Sequence, residues 1–80
     1  MKNYHIEEID NIPHIPPYLR ITFDAFADED VIETNLNVIN GVKKVNFDSK
    51  DCKKIAIVYL FQDKDINIIV SEVDSVLKGL

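Results

Sequence analysis

The sequence predicts a single small α+β domain, and three observations carry that prediction. Residues 18–23 and 42–48 alternate apolar and polar side chains with the period of a strand, and residues 55–61 are apolar at every position. Two other stretches repeat apolar residues at helical spacing, each behind an aspartate placed to cap it. Eighty residues leave room for one modest core and no second domain.

Taken in order, residues 4–9 are a short edge strand with imperfect alternation. Residues 11–17 contain Pro13, Pro16 and Pro17, which excludes a helix or a central strand and leaves an extended connector. In 18–23, Leu19, Ile21 and Phe23 share one face while Arg20 and Thr22 take the other. Asp28 caps a helix whose first turn carries Glu29 and Asp30 at its positive end. That helix is expected to run to about Ile39, with Val31, Ile32, Leu36 and Ile39 as its apolar stripe and Asn40-Gly41 as its stop. Residues 42–48 and 54–61 are two strands joined by a polar turn over 49–53, an antiparallel hairpin. Because 55–61 is apolar throughout, it belongs in the interior of the sheet. Asp65 caps a second helix, whose buried face is Ile66, Ile69, Val70, Val73, Val76 and Leu77.

Strand-helix-strand-strand-helix is the ferredoxin-like split unit without its last strand. The expected architecture is therefore a ferredoxin-like two-layer sandwich, an antiparallel sheet with two helices on one face. One domain spans 1–80, with an N-terminal strand and Pro-rich connector in 1–17 and the core in 18–80. The missing last strand would lie antiparallel to the first at a sheet edge, where an empty place leaves a strand unpaired. Residues 4–9 are expected to fill it. The competing expectation is a strand donated by a partner chain or by a longer parent protein.

Composition narrows the function. With 46% hydrophobic residues and only two glycines, the chain is a folded rather than a disordered one. The longest apolar run, 55–61, is too short to cross a bilayer as a helix, and no basic flank with an apolar stretch marks the N-terminus for export. The single cysteine, Cys52, cannot form an internal disulfide, so the expected location is cytoplasmic. A net charge of -5, with no basic cluster larger than Lys43-Lys44 or Lys53-Lys54, makes nucleic acid and anionic membrane surfaces unexpected partners. The ordinary use of such charge is solubility.

The run Ile32-Glu33, Leu36, Ile39, Gly41-Val42 and Val45, followed by Ile57-Val58-Tyr59, resembles the heavy-metal-associated family. That family is the ferredoxin-like domain of copper chaperones and of the N-terminal tails of metal-transporting P-type ATPases. The chain looks closest to the divergent branch whose first strand follows a proline-containing segment, here 12–21, and which mostly lacks the metal site. The resemblance covers roughly residues 12–78. Metal-carrying members place a Cys-x-x-Cys pair before the first helix, its second cysteine four residues ahead of the Ile-Glu pair. Counted back from Ile32, those places fall on Ala25 and Asp28. Two thiolates clasp the soft Cu(I) ion, whereas a methyl group and a carboxylate do not. The methionine that usually precedes the first cysteine by two falls on Phe23. The resemblance thus implies the fold without soft-metal activity. It further implies a docking or regulatory role toward a protein such as a metal-transporting P-type ATPase.

Other candidate sites rest on the chemistry of their side chains. Asp24, Asp28, Glu29 and Asp30 set four carboxylates within seven residues, and hard ions such as Ca²⁺ take oxygen ligands. Their spacing is not that of an EF-hand, and acids at a helix start are already explained by capping and the dipole. His5 and His14 are the only histidines, and Cys52 is expected in the hairpin turn at the opposite end of the sheet from the acidic loop. Asp24, Asp28, Asp30, His5, His14 and Cys52 are therefore weak metal candidates, and the expectation is that no metal or cofactor is held. Cys52 has lysines nearby but no base and no pocket, and no phosphate-binding loop or nucleophile elbow is present. No catalytic residue is expected, and the chain is read as no enzyme. Surface recognition remains, with Tyr4, Tyr18 and Tyr59 as possible anchors. Phe26, in the acidic loop, is either an exposed contact or a plug for the core end, so Phe26 and Tyr18 are the partner-contact candidates. Self-association through sheet edges is the other expected mode. The functions in competition are a docking module, a metal carrier with unconventional ligands, and a small-molecule-sensing dimer.

Overall fold

The computed structural model describes residues 4–10, 12–23, 28–50, 53–61 and 65–80. They form β1 (Tyr4–Ile9), β2 (Tyr18–Phe23), α1 (Glu29–Asn37), β3 (Val42–Lys50), β4 (Lys53–Leu60) and α2 (Ile66–Gly79). The strands make one four-stranded sheet in the order β1-β2-β4-β3, antiparallel at every pairing. The chain is a small α+β domain.

The strand periods decide what faces the helices. Leu19, Ile21 and Phe23 of β2 are buried, as are Ala56, Val58 and Leu60 of β4, and cross-strand register puts both sets on one face. They form one cluster with Ile32 and Leu36 of α1 and with Ile69, Val73 and Leu77 of α2. Every strand residue of that cluster belongs to this face, so both helices pack on the same side of the sheet. β4 takes an interior position, in keeping with its unbroken apolar run.

Each helix begins as its cap dictates. The Asp28 carboxylate accepts hydrogen bonds from the backbone N–H groups of Asp30 (3.0 Å) and Val31 (3.3 Å), and that of Asp65 accepts from Asn67 (2.9 Å). The first helix is shorter than its pattern suggested, ending at Asn37 with Val38 as its cap. Ile39 is still buried, held in the following turn by bonds from its N–H to Leu36 O and from Val42 N–H to its own carbonyl, each 3.1 Å. Gly41 completes the reversal at φ 102°, a left-handed conformation in which a side chain is strained. Val31, expected in the buried stripe, is exposed instead. It lies about 100° around the helix from Ile32 and off the line that joins Ile32 to Leu36.

The hairpin strands run closer to their turn than expected, β3 to Lys50 and β4 from Lys53. Register slips between Val42, opposite Leu60, and Lys44, opposite Tyr59, so β3 carries a bulge at Lys43. At the other edge, β1 lies antiparallel to β2. Its Tyr4 hydroxyl donates to the Asp74 carboxylate of α2 and to the Asp74 backbone carbonyl at 3.3 Å, tying edge strand to helix.

Candidate functional site: the uncovered face of the sheet

Alternation that buries one side of each strand presents the other side away from the helices. Register builds that second face as three rows across β1, β2, β4 and β3. They are Ile9, Tyr18, Tyr59 and Lys44; then Glu7, Arg20, Ile57 and Asn46; then His5, Thr22, Ile55 and Asp48. None of these twelve residues joins the cluster beneath the helices.

An antiparallel sheet with one solvated face ordinarily turns polar residues outward. β3 obeys that rule and β1 departs from it only at Ile9, whereas β4 breaks it at every outward position. Its outward residues are Ile55, Ile57 and Tyr59, each half-buried. The same alternation continues into Phe61, which is 47% exposed and whose N–H donates to Gly41 O at 3.0 Å. Tyr18 stands beside Tyr59, ring centroids 6.1 Å apart and tilted by 38°. On the other side of Tyr59, the Lys44 ammonium lies 5.0 Å from the ring centroid, where the negative face of the ring attracts a cation. An apolar strip thus runs down the middle of the face with polar groups at its flanks.

The flanks are electrically balanced. Arg20 forks onto Glu7, its Nη2 at 3.0 Å from each carboxylate oxygen and its Nε at 3.2 Å from Oε1. Lys44 and Asp48 stand two residues either side of Asn46 on β3. The face therefore carries Arg20 and Lys44 against Glu7 and Asp48, while the chain as a whole is at -5. The excess negative charge lies elsewhere.

The residues singled out from sequence scatter. Tyr18 sits on the uncovered face beside Tyr59. Asp28 is the α1 cap and Asp30 is an exposed residue of its first turn. Asp24, Phe26 and Cys52 lie outside the described residues. The expectation that the hairpin turn and the acidic loop occupy opposite ends of the sheet is corrected. β4 runs antiparallel to β2, so its start lies beside the end of β2, with Lys54 opposite Phe23. Lys54 Nζ reaches Glu29 of α1 at 2.9 Å. His5, opposite Thr22, belongs to that same end, and His14 to the other, in the connector between β1 and β2. Among the described residues, no three His, Cys, Asp or Glu side chains gather to hold a metal ion.

Sequence reasoning missed the apolar strip, although its signal was present. A run with no polar residue in an antiparallel sheet must turn half of its side chains to the second face. Only one face can be covered by two helices on the same side.

No protein-family model matches the chain, and no significant match was found among curated proteins or solved structures. Among the described residues, no helix is long and apolar enough to cross a membrane.

Proposed function

We propose that the chain is a non-catalytic docking or regulatory domain that binds a protein through the uncovered face of its sheet. The observation that carries this reading is the row Ile55, Ile57, Tyr59 and Phe61, apolar at every position on the side that neither helix covers. Contiguous exposed apolar surface rimmed by polar groups is characteristic of interaction sites. Aromatic and aliphatic anchors at its centre, with Lys44, Asp48, Glu7 and Arg20 around them, give the usual order of an apolar core and a polar rim.

The finer reading of the fold belongs to the same proposal. The order β1-β2-β4-β3 is that of a ferredoxin-like sheet if β1 stands in the place of the last strand. Asp28, at the position of the second cysteine in metal-carrying heavy-metal-associated domains, is engaged in capping α1. Both points support a relative of that family without the soft-metal site; a cytoplasmic location and docking on a metal transporter or a similar protein complete the proposal.

A photo-cross-linking residue placed at Ile57, with Glu33 on the outer side of α1 as control, tests the docking reading. Saturable adducts from position 57 alone, suppressed by Ile55→Lys, are the expected result. No adduct from position 57 in the cell overturns it. Amide shifts followed during separate titrations with Cu(I), Zn²⁺ and Ca²⁺ test the metal-lacking part. A flat response is expected, and localised saturable shifts would refute it.

A further inference from the structure

The uncovered face has an internal symmetry. Taking Ile57 and Asn46 as its middle row, the residues one row above and one row below are complementary rather than alike. On β3 they are Lys44 and Asp48, on β4 Tyr59 and Ile55, and on β2 Tyr18 and Thr22; only at the β1 edge, with Ile9 and His5, does the pairing lapse. A two-fold interface uses the same patch on both copies, so each residue off the axis must suit its counterpart on the other side of the axis.

We infer that the occupant of this face is a second copy of the chain, packed face to face about a two-fold axis that crosses the strands at the level of Ile57 and Asn46. This inference rests on the docking reading and names its partner. Such an axis lays Lys44 of each copy over Asp48 of the other, twice per dimer. It stacks apolar strip on apolar strip, Ile57 on Ile57 and Tyr59 on Ile55, so neither strip is covered by polar groups. In the middle row the axis sets Arg20 against Arg20 and Glu7 against Glu7, a like-charge cost that the Arg20–Glu7 fork within each copy reduces through three bonds of 3.0–3.2 Å. The meeting surfaces are therefore uncharged in sum, although each molecule carries -5. Aligned packing of two sheets at about 10 Å is a standard arrangement for such faces.

The β3 edge of the sheet is less suited to pairing. β3 bears the Lys43 bulge and two consecutive exposed lysines, the features by which edge strands repel another strand. Four strands at about 4.8 Å and six residues at about 3.4 Å give a face of about 19 by 20 Å. Across both copies that is about 760 Å², below the size of standard specific interfaces and in the range of weak, transient ones, so the dimer is expected to dissociate only in the high-micromolar range.

Sedimentation velocity of the purified chain, at concentrations from about 1 µM to 1 mM, would span that range. A reversible dimer is expected. Ile57→Lys should weaken it by about a hundredfold or more, since it buries an unpaired charge at the centre. Ile57→Thr, which keeps a β-branched side chain and the strand, should weaken it by about tenfold and guards against loss of folding in the lysine variant. Lys44→Asp and Asp48→Lys should each weaken it by about tenfold, by setting like charges opposite one another. The double exchange, Lys44→Asp with Asp48→Lys, should recover wild-type affinity to within about threefold. Failure of the double exchange to recover affinity overturns the proposed axis. A dimer indifferent to both Ile57 variants overturns face-to-face packing and points to the sheet edges. A wild-type chain that stays monomeric at the highest concentration overturns self-docking. In that case, adducts from position 57 to a heavier protein would leave the docking reading standing, and their absence would remove both.

Discussion

On one side of β4, Ala56, Val58 and Leu60 are at most 4% exposed and lie beneath both helices. On the other side, Ile55, Ile57 and Tyr59 are half-buried and lie outside the cluster beneath the helices. The same strand, with the same class of residue, therefore contributes to the core on one face and to the open face on the other. Apolar character does not decide which is which; the placement of α1 and α2 does. Burial on the covered side is the dominant source of stability, at about 1.5–3 kcal/mol for each fully buried large side chain. Apolar groups on the open side gain most of theirs only when something covers them.

The comparison breaks if the two faces respond alike to truncation. Leu36→Ala removes a fully buried side chain from between α1 and the sheet, and should cost about 3 kcal/mol in urea unfolding. Ile57→Thr, measured at concentrations where the chain is monomeric, should cost under about 1 kcal/mol because the site is only half-buried. Equal losses would mean that the strip serves folding, and the docking reading would lose its main support.

That contrast was half legible in the sequence. The alternation of Leu19, Ile21 and Phe23, the aspartate caps and the 69-73-77 spacing of α2 placed the covered core correctly, because those are local periods that tertiary packing reinforces. The unbroken run 55–61 announced an interior strand, but periodicity cannot say which of its two faces the helices take. The hairpin turn was put at the wrong end of the sheet because strand direction comes from the path of the whole chain, and no local pattern at Cys52 reports it. Val31 is apolar but lies off the Ile32–Leu36 line, so hydrophobicity alone does not reveal its exposure.

The edge strand β1 sharpens the comparison, because it has one polar tie on each face. On the covered side, Tyr4 donates to Asp74. This bond, then burial, then the nearby carboxylate charge raise the phenol from 10.0 to about 12, while the bond from Tyr4, followed by that from Lys78, lowers the Asp74 carboxyl. The raised phenol stabilises the fold fully below pH 10, and that contribution is lost as pH climbs toward 12. The lowered carboxyl contributes above the ordinary carboxylate range, and its share disappears as pH falls through and below that range. Tyr4→Phe should cost about 1 kcal/mol at neutral pH and remove this part of the alkaline loss, as read by urea unfolding at pH 7 and pH 11. An unchanged alkaline limb would show that the tie does not hold β1.

On the open side the tie is the Arg20–Glu7 fork, with side chains 45% and 36% exposed. Water and salt screen such a pair, so Glu7→Gln should cost only about 0.5 kcal/mol, and less in high salt. A loss as large as that of Tyr4→Phe would mean that the open face is drier than its exposure indicates. That outcome would bring the two faces together rather than apart.

The turn that delivers β1 to β2 carries a comparably small effect. Ile15 N–H bonds back to Ile12 O at 3.3 Å, with Pro13 in the second place and His14 in the third at φ 65°. Proline followed by a left-handed residue is the arrangement of a type II turn, whose third place favours glycine or asparagine because a Cβ is crowded there. His14 is exposed, so the turn keeps a side chain in a strained backbone without burying it. His14→Gly should therefore stabilise the fold by about 0.5 kcal/mol, the relieved strain outweighing the greater freedom of glycine in the unfolded chain. Paired urea curves would read the difference, and Asn in the same place should fall between the two. Destabilisation by glycine would show that the His14 side chain itself holds the connector. The link between β1 and the rest of the sheet would then depend on that side chain as well as on the Tyr4 and Arg20 ties.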